Sequence, residues 1–147
     1  WRPIYSGVLK NKLSNQHKEF KFLNDVPDNM LISPEKDYKT YNKYGVKSGS
    51  SLADWEEKDW IKEQDPYGWV QWYCRFYEGR RSNDDERQIK RWKNFAGPKG
   101  RFRRNLINKI KNASKNYDDF SVSPVIRQSL LHWGYELTKK DFENFTK

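Results

Sequence analysis

The side chains in this sequence that could bind a ligand through charge are concentrated in one segment. Between Gly79 and Lys115 there are thirteen Lys and Arg residues and three acids, a net charge of +10 over 37 residues. The whole chain carries +9, so the other 110 residues sum to −1. Self-repulsion disfavours a basic patch of this size without a partner. The segment therefore predicts a polyanionic ligand, and the alternative is a solvated face that only keeps the protein in solution.

The last part of this segment has the pattern of an amphipathic helix, from Arg101 to about Ser114. Its apolar face is predicted to carry Phe102, Leu106, Ile110 and Ala113. The opposite face spans about 120° at 100° per residue and combines cations with carboxamides. Its members are Arg101, Arg104, Asn105, Asn108, Lys111, Asn112 and Lys115, without an acid. Arg103 breaks the pattern, since it points towards the apolar face and must lie at its edge or be paired.

These residue types are the ones that proteins use on nucleic acids. Arg and Lys neutralise phosphates, and Asn can hydrogen-bond to base edges or to phosphates. We predict phosphate contacts from Arg80, Arg81, Arg87, Arg91, Lys99, Arg101, Arg104 and Lys111. Base or shape reading would fall to Asn105, Asn108 and Asn112. The alternative is that these asparagines are neutral surface residues, because the whole sequence is rich in Asn and Lys.

A second predicted helix lies before this one. The three acids at positions 84–86 stand where a helix N-terminus favours negative charge. Ile89, Trp92 and Phe95 follow at helical spacing. The two helices form a basic pair over residues 83–115, which is best described as a helix–turn–helix-like unit.

The two predicted helices are joined by the turn Gly97-Pro98-Lys99-Gly100. Backbone N–H groups in a glycine-bounded turn before a helix can bind a phosphate, to which Lys99 would add charge. The G-x-x-G spacing also resembles the clamp loop of KH domains. A KH domain needs a three-stranded sheet, for which we find no strands. A plain helix–helix connection is therefore the favoured interpretation.

The other residues that could do chemistry are isolated. His17 and His132 have no partner at a metal-ligand spacing, and Cys74, the only cysteine, lies in an aromatic helix where we interpret it as inert. We predict no metal, no cofactor and no catalytic residue. A single cysteine excludes an internal disulfide and favours a reducing compartment, so we expect an intracellular protein, nuclear or cytoplasmic. No apolar run approaches 18 residues, so we predict no membrane span.

Nucleic acid is the favoured partner, DNA ahead of RNA, but two other classes of function stay open, as does the oligomeric state. Pro27-Asp28 followed by Glu56-Glu57-Lys58 formally matches the PD…ExK signature of metal-dependent nucleases. Those enzymes hold Mg²⁺ with carboxylates on adjacent strands, whereas the second half of this match lies in a helical pattern. The remaining class is a module that binds an acidic protein.

The segments that must position these residues are predicted to be helical. Helix starts are indicated at Ser33-Pro34, Asp65-Pro66 and Ser123-Pro124, and capping boxes at Ser51–Asp54 and Thr138–Asp141. The 24 aromatic residues argue against disorder. We predict a mainly α class: a compact multi-helix domain over residues 33–147, with an irregular N-terminal arm over residues 1–32 packed on it.

One predicted helix, between residues 65 and 79, is rich in aromatic rings. Trp69, Tyr73, Phe76 and Tyr77 form its predicted inner stripe at helical spacing. With Trp72 they are too many for one buried stripe. An exposed ring could stack on a base, whereas packing in the core is the simpler interpretation.

The same region carries a family resemblance. The run DPYGWVQWYCRFYEGRR from Asp65 to Arg81, with DDERQIKRW from Asp84 to Trp92, resembles a family of uncharacterised hypothetical proteins from plants, fungi, protists and bacteria. The similarity extends from Val26 to Trp133. Members often have Phe where Val70 stands here. The family has no assigned activity, so the resemblance implies an intact domain and no particular function.

Overall fold

The computed structural model describes residues 4–6, 11–13, 16–32 and 37–146. By their contacts these residues group into two compact units, which we call unit 1 (within Trp1–Asp37 and Ser50–Arg81) and unit 2 (within Tyr38–Gly49 and Ser82–Lys147). Most of their regular structure is helical, which confirms the mainly α class. The predicted arm over residues 1–32 and the predicted domain over residues 33–147 stay predictions.

Unit 1 contains short elements. Strands β1 (Ile4–Ser6) and β2 (Asn11–Leu13) pair antiparallel, with Ile4 opposite Leu13. Two 3-10 helices follow at Gln16–Glu19 and Lys21–Leu23. The helices of unit 1 are α1 (Asp28–Leu31), α3 (Leu52–Glu57) and α4 (Trp69–Tyr77), while α2 (Tyr38–Tyr41) belongs to unit 2.

Three helix starts follow the prediction, and one does not. One of the three is the helix at Lys139–Thr146, where the Thr138 hydroxyl accepts the Asp141 N–H at 3.1 Å. The Ser51 hydroxyl accepts the Asp54 N–H at 3.1 Å and the Asp54 carboxylate accepts the Ser51 N–H at 2.9 Å, so the predicted capping box begins α3. Pro124 is the first residue of its helix, as expected. The start predicted at Asp65-Pro66 is wrong, because α4 begins at Trp69. The start predicted at Ser33-Pro34 lies outside the described residues.

Asp65 is the centre of an ion-pair network instead of a helix cap. Its side chain is only 4% exposed and accepts bonds from Arg80 at 2.7 Å to each carboxylate oxygen. Arg75 donates to the same carboxylate at 2.9 Å and pairs with Glu19 at 2.9 Å. A buried carboxylate requires partners of this kind, and its two arginines come from α4 and from the residues that follow it.

The buried side of α4 differs from the predicted aromatic stripe. Trp69, Gln71, Trp72 and Cys74 are buried, whereas Tyr73 and Tyr77 are 46% and 66% exposed. Gln71 is 0% exposed because its amide is satisfied: it accepts the Tyr67 N–H at 3.1 Å and donates to Gln16 and Glu19. The apolar period alone placed Tyr73 and Tyr77 inside, and that prediction was wrong.

Among its described residues, unit 2 contains four further helices. They are α5 (Asp85–Phe95), α6 (Arg101–Asn112), α7 (Pro124–His132) and α8 (Lys139–Thr146). Its fully buried core consists of Ala96, Leu106, Ile107, Ile110, Leu130 and Leu137. Aromatic rings from α5, α6, α8 and the connections pack around these residues, and α7 adds Ile126. The core thus lies against one side of α6 and leaves the other side for solvent or a ligand.

The connection between α6 and α7 is held by Arg127, which is 3% exposed. Its guanidinium donates to the backbone carbonyls of Tyr117, Asp119 and Val122 at 2.8 to 3.0 Å. Carbonyl groups in a connection without regular structure need such partners. Within the described part of the chain, no helix has both the length and the apolar character needed to cross a membrane.

The Asp65 network makes a prediction about stability. Asp65→Asn keeps the side-chain shape but removes the charge that faces Arg75 and Arg80. Because removing one member of a buried ion pair is costly, we expect a loss of about 2 to 4 kcal/mol of unfolding free energy, measured by urea denaturation.

The matched control is Asp59→Asn. Asp59 is 78% exposed and pairs with Lys62 at the surface, so its replacement should change the unfolding free energy by less than about 0.5 kcal/mol. Equal effects of the two substitutions would contradict a stabilising role for the Asp65 network.

Candidate nucleic-acid interface

The basic segment folds as two helices joined by a short turn, α5 and α6, as predicted. The acids at the start of α5 act locally. Asp85 accepts bonds from the backbone and the hydroxyl of Ser82, both at 2.8 Å, and Glu86 lies in the same first turn. Negative charge at this end complements the helix dipole. The acids therefore belong to the start of α5 and leave α6 without one.

The two glycines of the turn are explained by close packing. A Cβ at Gly97 would lie 2.6 Å from the Lys93 carbonyl oxygen, and one at Gly100 would lie 2.5 Å from that of Phe95. The chain reverses tightly over the end of α5, and Gly100 donates to the Gly97 carbonyl at 2.8 Å. The sheet found among the described residues has two strands and lies in unit 1, so a KH-like clamp has no sheet here. A plain helix–helix connection accounts for the G-x-x-G spacing.

The two sides of α6 are clearly separated. Arg103, Leu106, Ile107 and Ile110 are buried. The polar residues predicted for the opposite face are all exposed, namely Arg101, Arg104, Asn105, Asn108, Lys111, Asn112 and Lys115. One expectation was wrong, since Ala113 is exposed and Ile107 takes its place in the core. The buried side is centred nearer to Arg103 than the apolar spacing alone indicated.

Arg103 is buried and paired, as its position in the pattern required. Its guanidinium lies 2.6 Å from the Asp141 carboxylate and 4.8 Å from the centre of the Tyr135 ring. Burial alone would raise the pKa of Asp141, but the Tyr135 hydroxyl and the charge of Arg103 bring it below its ordinary value. This cation is therefore part of the fold of unit 2 and is not offered to a ligand.

A column of rings connects α5, α6 and the end of α7. Phe95 stacks on Phe102 with the ring centres 4.0 Å apart and on Trp133 at 4.8 Å. Arg101 lies 5.2 Å from the centre of Phe102, and Arg91 lies 5.3 Å from that of Trp133. Cation–π attraction of this kind restrains a guanidinium without neutralising it. The column thus orients two of the predicted site arginines.

Two of the predicted arginines in unit 2 have internal partners. Arg87 binds the Asp84 carboxylate, which raises the pKa of Arg87 and lowers that of Asp84. Arg91 donates to the Gln88 side chain at 2.9 Å. Its pKa is lowered, first by desolvation and then by the charge of Arg87. Both remain cations, but their geometry is set by α5 itself.

The two predicted arginines before residue 82 belong to unit 1 and also have internal roles. Arg80 is the bidentate partner of Asp65. Arg81 lies 3.9 Å from the centre of the Phe76 ring and donates to the carbonyls of Phe76 and Arg80 at 3.0 and 2.8 Å. It thereby satisfies carbonyl groups at the end of α4. We leave both out of the proposed interface.

Seven of the predicted residues share another property. In the part of the chain that the structure describes, none of them makes an ion pair or a side-chain hydrogen bond, and all are exposed. They are Lys99, Arg101, Arg104, Asn105, Asn108, Lys111 and Asn112. Lys115 of the same face pairs with Asp119 at 3.5 Å. The predicted site residues without such partners are thus confined to the turn and one face of α6.

One exposed lysine, Lys109, was missed in the prediction of this surface, and it lies just beyond the polar face of α6. Lys90 and Lys93 are exposed on α5, as expected from its sequence. The sequence could have indicated the position of Lys109, because a rotation of 100° per residue places it about 40° from Asn105 around α6. It was left out because the predicted polar face was limited to about 120°.

The start of α6 carries an electrostatic conflict. Gly100 precedes it and has no side chain to bond to the first N–H groups. The first turn contains Arg101, Arg103 and Arg104 and no acid, although a helix N-terminus carries partial positive charge. Lys109 and Lys111 in the last turn are favourably placed. An anion at the start of α6 would relieve the conflict at that end.

The residues considered for other chemistry show no arrangement for catalysis. Asp28 starts α1 and Glu56 lies in α3, so the PD…ExK match falls on helices and not on adjacent strands. Among the described residues, no three His, Cys, Asp or Glu side chains are grouped as a metal site requires. Cys74 is buried, which raises its pKa to about 11 and leaves the thiol unreactive.

The two histidines differ in their surroundings. His17 is 3% exposed, and its Nε2 atom lies 3.8 Å from the Asp28 carboxylate, beyond hydrogen-bonding distance. His132 lies 3.1 Å from the Gln128 amide nitrogen, and desolvation lowers its pKa. Each is placed by packing in its own unit, which agrees with the interpretation of both as isolated residues.

Comparisons with known proteins add no further constraint. A scan of protein-family models, a search of curated proteins and a search of solved structures each gave no significant match. The resemblance of Asp65–Arg81 to uncharacterised proteins stays a prediction. Any functional conclusion for this chain therefore rests on the geometry of its own residues.

The conflict at the start of α6 makes a prediction for the free protein. Arg104→Glu puts a negative charge near the positive end of the helix and removes repulsion from Arg101. We expect the variant to be more stable than the unchanged protein by about 0.3 to 1 kcal/mol at low salt, measured by urea denaturation.

The matched control is Lys111→Glu at the other end of the same face. There a cation is favourable, so the same change of charge should destabilise the protein by a similar amount. If both variants were destabilised equally, the first turn of α6 would carry no unfavourable charge.

Proposed function

We propose that unit 2 binds nucleic acid through the phosphate backbone, with the turn before α6 and the exposed face of α6 as the contact surface. The phosphate contacts come from Lys99, Arg101, Arg104 and Lys111. The observation that carries the proposal is that these cations lie together, are exposed and have no acidic partner among the described residues. Two acids of unit 2 are paired with other arginines, Asp84 with Arg87 and Asp141 with Arg103.

The length of the surface favours a polymer over a single phosphate group. Arg101 and Lys111 are ten residues apart on one helix face, which corresponds to about 15 Å along the axis. Cations at intervals along such a face match the repeating charge of a nucleic acid backbone. One free phosphate would engage only the first turn of α6, where Arg101 and Arg104 lie close to the backbone N–H groups.

Fixed orientation of the surface also supports the proposal. Arg101 is restrained over Phe102, and α6 itself is held against the core by Leu106, Ile107 and Ile110. A surface on a packed helix loses less conformational freedom on binding than one on a loop. Its charges are therefore available to a ligand without rearrangement of the backbone.

The proposal predicts a strong dependence of affinity on salt. Four phosphate contacts on a duplex release about four counterions, so a plot of log affinity against log salt should have a slope of about −3 to −4. Fluorescence anisotropy with labelled single- and double-stranded DNA and RNA, from 50 to 200 mM salt, measures the slope. An affinity that hardly changes over this range would contradict phosphate binding.

Charge reversal locates the contact surface. The double variant Arg101→Glu with Arg104→Glu should lose detectable binding at about 0.15 M salt and keep a cooperative unfolding transition. Its control, Lys139→Glu with Lys140→Glu, changes the net charge equally on the exposed start of α8 and should retain most of the affinity. Equal losses in both variants would indicate a general effect of net charge.

An acidic protein partner is the competing outcome of the same experiment. Polyglutamate, titrated in parallel under identical salt conditions, provides the comparison. Binding to polyglutamate with no binding to any nucleic acid would overturn the proposal, whereas preference for nucleic acid at equal ionic strength supports it.

A further inference from the structure

The three asparagines of the exposed face form a stripe along α6. Asn105, Asn108 and Asn112 follow at intervals of three and four residues, so they fall within about 60° around the axis and span about 10 Å along it. All three are exposed, and none has a hydrogen-bond partner in the described part of the chain. We call this set the carboxamide stripe.

Cations stand on both sides of the carboxamide stripe. Arg104 and Lys111 lie on one side, about 40° to 60° from its edge, and Lys109 lies about 40° beyond the other edge. All three are exposed. Arg101 lies in line with the stripe at its N-terminal end. From Arg104 onward, crossing the face of α6 leads from positive charge through neutral amides to positive charge again. A groove of a duplex has the complementary order: the phosphates of one strand, the base edges, and the phosphates of the other strand.

We propose that α6 enters the major groove of double-stranded DNA and that the carboxamide stripe reads adenine. This inference rests on the proposed function and assigns it a ligand class. An Asn side chain can accept a hydrogen bond from adenine N6 and donate one to adenine N7, a pair of contacts that the major groove offers at A·T base pairs. The 10 Å length of the stripe covers about three base-pair steps.

The form of the surface favours a duplex over a single strand. Proteins that bind single strands stack unpaired bases on exposed aromatic rings. The rings beside α6 are used inside unit 2: Phe95 stacks between Phe102 and Trp133, and Trp92 donates its indole N–H to the Trp133 carbonyl at 2.8 Å. The polar face of α6 itself carries no aromatic residue.

The same face favours DNA over RNA. The major groove of B-form DNA is wide enough to admit an α-helix, whereas that of A-form RNA is too deep and narrow for side chains to read. A convex helix face with amides at its centre and cations on its sides fits the first groove and not the second.

Selection from a pool of randomised DNA duplexes, using the full 147-residue chain, identifies the preferred sequence. We expect an enriched site containing adenine, bound about tenfold more tightly than a G·C-only duplex of equal length. In the triple variant Asn105→Ala, Asn108→Ala, Asn112→Ala this preference should disappear, while binding to the G·C duplex persists because the cations remain. Asn144→Ala on the exposed part of α8 is the matched control and should keep the preference.

A change in the DNA tests the contact atom directly. Replacing adenine by 7-deazaadenine in the selected duplex removes the N7 acceptor and leaves the pairing intact. The unchanged protein should lose several-fold in affinity on this substitution, and the triple Asn variant should lose nothing. Equal losses in both proteins would overturn the assignment of the carboxamide stripe as the reader.

The remaining outcomes separate this inference from the proposed function. Equal affinity for all DNA duplexes, or preference for single strands or duplex RNA, would overturn the major-groove inference and leave the proposed function standing. Absence of binding to any nucleic acid would overturn both. Melting temperatures of the variants show whether a loss of binding has another origin; they are expected not to fall, because the asparagines are exposed and Ala favours a helix.

Discussion

The stack of Phe102, Phe95 and Trp133 sets the rotation of α6 about its own axis. Phe95 is the last residue of α5, Phe102 lies in the first turn of α6, and Trp133 follows α7. One column of rings therefore connects three helices. Close packing permits few rotations of a helix that must also bury Leu106 and Ile110. With the buried side fixed, the polar side of α6 has to face outward. The exposure of its cations is a consequence of this core contact.

The net charge of the basic segment overstates its capacity to bind an anion. Arg80 neutralises Asp65, Arg87 binds Asp84, and Arg103 is buried beside Asp141. These cations form ion pairs within the fold, with acids that lie from 3 to 38 residues away in the sequence. The predicted contact residues without an acidic partner form a smaller set on the turn and α6. An interface built from this set depends on placement more than on total charge.

Several features that depend on spacing within one helix were predicted correctly, whereas contacts between residues far apart in the sequence were not predicted. The start of α3 at Ser51, the burial of Arg103 and the polar face of α6 follow from spacing within one helix. The pairing of Asp65 with Arg80 spans 15 residues in the sequence and leaves no periodic signal. Gln71 shows why the aromatic stripe of α4 was misplaced: an amide can occupy the core when it is hydrogen-bonded, and a count of apolar residues ignores it.

The start of α6 combines unfavourable local charge with favourable packing against the core of unit 2. Arg101 and Arg104 in the first turn oppose the helix dipole, and Gly100 has no side-chain oxygen to accept the first N–H groups, so local charge disfavours this helix start. The same glycine is required by the close approach to Phe95, and the core of unit 2 holds α6 in spite of its first turn. Local rules are commonly violated where a site needs a particular charge or geometry. In the proposed function, the phosphates of the ligand would supply the negative charge that the first turn of α6 lacks, while packing against the core stabilises the helix in the free protein.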